Sequence, residues 1–216
     1  MAVSDTQRDE YMTLLTQTTE YPSLSAASQS WCGDNATLRR YIDCAEANGC
    51  SAVDNIAFLV RTATWRDTMQ LDALMRDEAM LEFERKMRSL LLYDLTSDRN
   101  GRPLMIERVG AWDVAALAEA VESSHDDIVR AHVMVSERIR QQVDSRLHEA
   151  PTMPERQAML VMDADGIGWA HVRATTLLNL FATMSSLDNN HFPDTVRSRA
   201  CRRRPLTPRV SGPLLA

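Results

Sequence analysis

Three short stretches decide how this chain is expected to fold: Asn100–Ile106 (NGRPLMI), Met159–Ile167 (MLVMDADGI) and Leu187–Asp194 (LDNNHFPD). The first predicts a tight turn that leads into an apolar strand, because Asn-Gly favours the positive φ angles of a hairpin turn. The second predicts a buried strand that ends in an acidic turn containing glycine. The third predicts a helix end that is closed by a corner of an aromatic residue, a proline and an acid.

Strands and helices alternate around these stretches. Residues 90–95 and 103–109 predict the two strands of a hairpin, and residues 157–162 predict a fully buried strand. Helical periodicity predicts three helices between and after these strands: one from Trp112, one over 126–149 and one over 169–187. Because connections of this length join parallel strands, we expect an α/β fold.

The chain before Leu90 predicts helices only. Asp34 or Asn35 can cap a helix that Asn48-Gly49 ends, and Ser51 can cap a second helix that ends at Trp65-Arg66. A further helical pattern covers 67–89, whereas residues 1–30 are polar, with room for a short helix around 5–19.

This pattern predicts four parts: a polar segment (1–30), a helical lobe (31–89), a sheet domain (90–196) and a tail (197–216). The tail has six arginines, no acid and three prolines, so we expect it to be disordered. We also hypothesise that the tail results from an alternative or mispredicted exon end. The rest of the chain has 18 basic and 30 acidic side chains, and this acidic balance argues against nucleic acid as a partner.

The composition predicts a cytoplasmic protein. No apolar run approaches the roughly 20 residues of a membrane span, and the N-terminus has no signal-peptide pattern. The four cysteines (Cys32, Cys44, Cys50 and Cys201) suit reduced thiols, and no histidine completes a zinc spacing with Cys44 and Cys50. We therefore expect no structural metal.

The acidic turn over residues 163–166 allows three interpretations. An EF-hand loop does not fit, because its fourth position is Gly166 and its twelfth is Ala174. A Mg²⁺-dependent phosphohydrolase could use Asp163 as nucleophile and Asp165 as acid and base, although no lysine follows in the chain. We favour a structural turn, in which the first aspartate accepts backbone hydrogen bonds and the glycine permits the bend.

In this order, after a helical region, the three stretches resemble the CRAL-TRIO family of lipid-binding and lipid-transfer proteins. The resemblance extends over 33–196, since residues 34–42 (DNATLRRYI) and a helix that ends in Trp65-Arg66 are also similar to family patterns. It implies an α/β fold in which a helical N-terminal lobe precedes an incomplete mixed sheet flanked by helices.

The resemblance implies non-enzymatic binding of one hydrophobic ligand, such as a phospholipid or phosphoinositide, and its transfer between membranes. Such proteins need no cofactor, and peripheral membrane contact is expected. By resemblance, Arg66 would hold a head-group phosphate, and Thr183 stands where the acidic partner of that arginine is expected. Met105 and Val161 would supply apolar contacts from the sheet, and the adaptable thioether of methionine suits a flexible ligand.

The resemblance also predicts missing elements. The next strand with its Asn-Ala-Pro signature, the gate helix and the last strands have no counterpart after Val196, so we expect a truncated domain with impaired ligand retention. The alternative is a helical interaction or regulatory module that keeps the fold without a ligand. A cavity against residues 104–109 and 158–162 would favour lipid binding, and solid packing there would favour the alternative.

Overall fold

The computed structural model describes residues 5–146, 157–193 and 195–202. The N-terminal lobe consists of helices α1 (Asp5–Gln17), α2 (Ala26–Cys32), α3 (Asn35–Asn48) and α4 (Ala52–Thr68). Of the two predicted caps of α3, Asp34 is the one that forms, and Ser51 caps α4 as predicted; Gly49 ends α3 in the left-handed conformation (φ 66°). The core of this lobe includes Leu15, Leu38, Tyr41 and Leu59, which are completely buried.

Two short connections divide the helical pattern predicted over 67–89. Helix α4 ends at Thr68, α5 covers Leu71–Leu74 and α6 covers Glu78–Leu91 with Asp77 as its cap. Leu92 then adopts a positive φ of 47°, so the first strand begins at Tyr93 instead of Leu90. The strand prediction was therefore wrong for the first three leucines, which end or follow α6.

The sheet has four strands in the order β1-β2-β3-β4. Strands β1 (Tyr93–Ser97) and β2 (Pro103–Glu107) form the predicted antiparallel hairpin, in which Gly101 alone has a positive φ (75°). Strand β3 (Ala158–Asp163) pairs in parallel with β2, so the predicted parallel crossover is confirmed. The sheet is therefore mixed.

The fourth strand, β4, runs from Val196 to Arg202 and pairs in parallel with β3. The prediction of disorder was therefore wrong for residues 197–202, and a strand does follow the proline corner. Residues 203–216 lie outside the described part of the chain, as does the end of the helix predicted over 126–149. The boundaries at 30/31 and 89/90 stay predictions.

Three helices follow the hairpin. Helix α7 (Val114–Ser145) merges the two predicted helices across a kink at Ser124. The pattern predicted over 169–187 forms α8 (Trp169–Arg173) and α9 (Thr175–His191), which are separated at Ala174. Helix α7 is central: Val135, Ile139 and Val143 pack against the sheet, while its other faces contact α6 and α9.

Candidate functional site

A groove of about 620 Å³ lies between the helical lobe and the sheet domain. One wall comes from α3 and α4, and the opposite side comes from β2, β3, α7 and the end of α9. This volume falls within the roughly 300–1,000 Å³ typical of small-molecule sites. The groove shows that the inward face of the sheet borders a void instead of packing solidly along its whole length.

Much of the apolar surface of the groove comes from four elements. Met105 of β2 and Leu160 of β3 are register partners on one face of the sheet, and Val135 and Ile139 of α7 lie against that face. Phe58 of α4 closes the groove from the helical lobe. A flexible apolar ligand could therefore contact side chains on several sides.

A polar cluster lies on the wall formed by α7 and α9. His132 Nε2 lies 2.9 Å from Asp188 Oδ1, and the Ser136 hydroxyl donates to the same oxygen at 3.0 Å. The serine Oγ and histidine Nε2 are 3.5 Å apart. Because both side chains contact the same carboxylate oxygen, this arrangement differs from the relay in which a histidine links an acid to a nucleophilic serine.

Arg61 lines the same groove from α4. Its guanidinium lies 5.0 Å from the centre of the Phe58 ring, and the side chain is exposed. Asp54 and Glu107 also line the groove, so its mouth holds charges of both signs. The groove can therefore offer an apolar interior together with polar contacts at its edge.

Arg66 lies outside this groove, at the junction of α4 and α7. Its guanidinium makes two hydrogen bonds to Glu137 and stacks 4.5 Å from the centre of the Trp31 ring. Burial alone would raise the pKa of Glu137, but hydrogen bonds from Arg140 and Arg66 outweigh it and lower that pKa to about 2. The arrangement keeps the Glu137 carboxylate ionised and engages the Arg66 guanidinium in hydrogen bonds to it.

Two glycines bring the ends of β2 and β3 together. A Cβ atom on Gly110 would lie 2.1 Å from the carbonyl oxygen of Asp165, and one on Gly166 would lie 2.5 Å from the carbonyl oxygen of Gly110. Gly166 also has a φ of 100°. The backbones of the two connections therefore touch at a distance that only glycine permits.

Asp163 stabilises the same turn, since its Oδ1 accepts a hydrogen bond from the backbone N–H of Asp165 at 3.1 Å. This contact agrees with the interpretation of the acidic stretch as a structural turn. Within residues 5–146, 157–193 and 195–202, no group of three or more His, Cys, Asp or Glu side chains could hold a metal ion.

The comparison with family models decides which family this is. Residues 87–201, more than half of the chain, match the CRAL/TRIO domain. The chain belongs to the CRAL/TRIO domain family. The predicted family is therefore confirmed.

Curated relatives agree with this membership. The chain is 26% identical over 132 residues to the phosphatidylinositol/phosphatidylcholine transfer protein SFH14 of Arabidopsis thaliana, covering 61% of this chain and 22% of that protein. It is 28% identical over 119 residues to Protein ctg-1 of Caenorhabditis elegans, covering 55% of this chain and 30% of that protein. The chain thus spans less than a third of the length of these relatives.

The crystal structure of Sfh5 superposes with a TM-score of 0.57 and 12% sequence identity, covering 93% of this chain and 72% of that one. At this identity the likeness shows the fold alone. It confirms the predicted α/β architecture of the CRAL/TRIO domain, in which a helical lobe precedes a mixed sheet. Within the described ranges, no helix is long and apolar enough to cross a membrane.

The structure places only one of the four predicted lipid contacts of this CRAL/TRIO domain in the groove. Met105 lines it, whereas Val161 is the register partner of Ile106, on the opposite face of the sheet. Thr183 donates its hydroxyl to the Asn179 carbonyl within α9 and does not line the groove. Arg66 is paired with Glu137 of α7, a partner that the resemblance did not indicate.

Sequence reasoning missed the polar side of the groove. The helix predicted over 126–149 gave no role to His132 or Ser136, and Asp188 was predicted only as part of the helix end at Leu187–Asp194. A signal was present, because His132 and Ser136 are four residues apart and share one face of a helix. The approach of Asp188 depends on how α9 packs against α7, which local periodicity does not reveal.

Proposed function

We propose that this CRAL/TRIO chain binds one hydrophobic ligand in the groove, most simply a phospholipid or phosphoinositide, and exchanges it between membranes. The groove of about 620 Å³ against Met105 and Leu160 is the observation that carries the proposal. The name of one relative, the phosphatidylinositol/phosphatidylcholine transfer protein SFH14, supports the ligand class.

Burial of acyl chain is the driving force in this proposal. Each methylene removed from water contributes about 0.8 kcal/mol, so a ligand with several methylenes in the groove would be retained without a covalent bond. Phe58, Met105, Val135, Ile139 and Leu160 would provide the contacts. No catalytic step is proposed.

Arg61 is our candidate for the lipid phosphate. Its guanidinium lies at the groove and is exposed, whereas that of Arg66 is held by Glu137 and Trp31. A phosphate needs a charge-assisted donor, and the planar guanidinium fits it well. The hydroxyl of Ser136 and the ring of His132 would meet the remaining polar atoms of the ligand.

Native mass spectrometry of the purified chain, followed by extraction of bound lipid, tests this function. We expect one lipid per chain. Leu160→Trp adds an indole on the groove face and should reduce the bound lipid, whereas Ile106→Trp adds it on the opposite face and serves as a matched control. Both original side chains are half-buried and aliphatic, on neighbouring strands.

The two variants separate the candidate functions. Equal lipid content in both would contradict binding in the groove. A chain that carries no lipid and releases none to acceptor vesicles would instead favour the ligand-free interaction module. Arg61→Gln should reduce phospholipid selectively against an uncharged lipid if Arg61 binds the phosphate.

A further inference from the structure

The described part of the chain exposes five large hydrophobic side chains, and four of them lie within twelve consecutive residues. Ile167, Trp169, Val172 and Leu178 are 46%, 75%, 56% and 51% exposed. They occupy the end of the turn after β3, the short helix α8 and the first turn of α9. Such concentration is unusual, since exposed hydrophobic residues on a protein surface are normally scattered singly.

We propose that this surface, Ile167–Leu178, docks the protein onto a lipid bilayer. It lies apart from the groove, because the groove contacts β3 at Ala158–Leu160 and α9 at Asp188, towards the opposite ends of both elements. The surface would therefore bind the membrane and is not part of the ligand site. A role in lipid exchange rests on the proposed function, but binding to a bilayer can be measured without it.

The charge within the segment supports a bilayer as its partner, although the exposed Asp165 lies in the turn just before it. No aspartate or glutamate occurs from Gly166 to Leu187, although residues 1–196 of the chain contain 30 acids against 18 basic side chains. The ionisable side chains in that range are His171 and Arg173. An acidic protein would be repelled by anionic head groups over most of its surface, whereas this segment would not.

The side chains of α8 have the chemistry of an interfacial anchor. The Arg173 guanidinium lies 5.5 Å from the centre of the Trp169 ring, so a cation sits beside the most exposed indole. Tryptophan prefers the depth of the head groups, and a neighbouring arginine can reach phosphate from there. His171 fixes the start of the helix, because its Nδ1 lies 3.2 Å from the Gly168 nitrogen.

The test is binding of the full chain to vesicles of phosphatidylcholine with and without phosphatidylserine. We expect stronger binding to the anionic vesicles, and about tenfold weaker partitioning for Trp169→Ser, because an indole supplies much of the apolar contact. Val53→Ser is the matched control, since Val53 is 64% exposed on α4 and lies outside this surface. Arg173→Gln should remove the preference for anionic vesicles.

Tryptophan fluorescence gives an independent readout. Trp169 is the one exposed indole, because Trp31 and Trp65 are half-buried and Trp112 is buried. Vesicles should therefore shift the emission to the blue and protect the chain from quenching by acrylamide. The Trp169→Ser variant should lose both effects.

Several outcomes would overturn the docking surface. These are equal binding of Trp169→Ser and the parent chain, no protection from quenching, or a concentration-dependent dimer that only Trp169→Ser abolishes. Lipid extraction from the same preparations separates this proposal from the proposed function. Vesicle binding by a chain that carries no lipid would support the surface and contradict the lipid-binding function, whereas a lipid-loaded chain that ignores vesicles would contradict the surface alone.

Discussion

Arg66 of α4 and Glu137 of α7 form a two-point ion pair, with N–O distances of 2.9 and 3.1 Å. Both are nearly inaccessible, at 8% and 2% exposure. Arg140 adds two further hydrogen bonds to the same carboxylate and also pairs with Asp144, which contacts Arg40 of α3. This buried network fixes the helical lobe to α7 and hence sets one side of the groove.

We expect Arg66→Met to lower the free energy of unfolding by about 3 kcal/mol, because it removes one partner of a buried ion pair. Arg140 still contacts Glu137, which places the loss at the lower end of the usual range. Urea denaturation at neutral pH measures the change. Arg85→Met is the control, since the Arg85–Glu82 pair is exposed and should change stability by less than about 0.5 kcal/mol.

Lipid content of the same variant tests the role that the resemblance gave to Arg66. If the pair with Glu137 is its main role, folded Arg66→Met retains phospholipid. A variant that folds as stably as the parent and yet loses phospholipid would restore the head-group role for Arg66.

Glu137 should also determine part of the loss of folding stability in acid. Its pKa is lowered from an ordinary 4.5 to about 2 in the folded protein. As the pH falls, Glu137 is therefore protonated in the unfolded state before it is protonated in the folded state. The stabilisation of the fold by the ionised carboxylate is complete above about pH 4.5 and is lost as the pH falls towards 2. Urea midpoints for the parent and Glu137→Gln should converge over this window, and parallel curves would show that Glu137 does not titrate in this way.

Local signals predicted the helical lobe well. The caps Asp34 and Ser51 and the terminal Gly49 act through short-range hydrogen bonds and backbone freedom, so the residues alone identify them. Strand β4 shows the opposite case. Its sequence, VRSRACR, is rich in arginine, and it becomes a strand through its pairing with β3, which local propensity does not describe.

The candidate site was predicted in part for a related reason. The apolar run of β3 indicates a strand buried on both sides, and such a run does not reveal which alternate residues face the groove. Leu160 faces it and Val161 faces away. Likewise, the motif around Trp65-Arg66 was recognised, but the pairing of Arg66 with Glu137 depends on the packing of α4 against α7.

The close contact between the backbones at Gly110 and Gly166 leads to a specific prediction. Gly166→Ala should destabilise the fold by about 2 kcal/mol or more, because it combines a positive φ with a Cβ placed 2.5 Å from the Gly110 carbonyl oxygen. Gly110→Ala should be at least as damaging. Gly168→Ala is the matched control, since nothing lies within 4 Å of its Cβ position and its φ is −129°; thermal unfolding of the three variants measures the difference.

Protonation of the His191 ring should lower the stability of the fold in a second, separate pH range. The ring stacks on the Trp65 indole at 4.0 Å with an interplanar angle of 4°, and Phe192 meets the same indole edge-on. Burial, with a smaller contribution from Arg61, lowers the pKa of His191 from 6.5 to about 4. This contact joins the helical lobe to the proline corner after α9.

As the pH falls, His191 gains its proton in the unfolded state before it does so in the folded state. The contribution of His191 to folding stability is therefore complete above about pH 6.5 and is lost as the pH falls towards 4. His191→Phe keeps an aromatic ring on Trp65 but cannot be protonated, so its stability should vary less over this window. Below pH 4, where Glu137 dominates, the parent and His191→Phe should change together. Urea midpoints measured every half unit from pH 7 to 3 test this, and identical slopes between pH 6.5 and 4 would show that folding does not lower the pKa of His191.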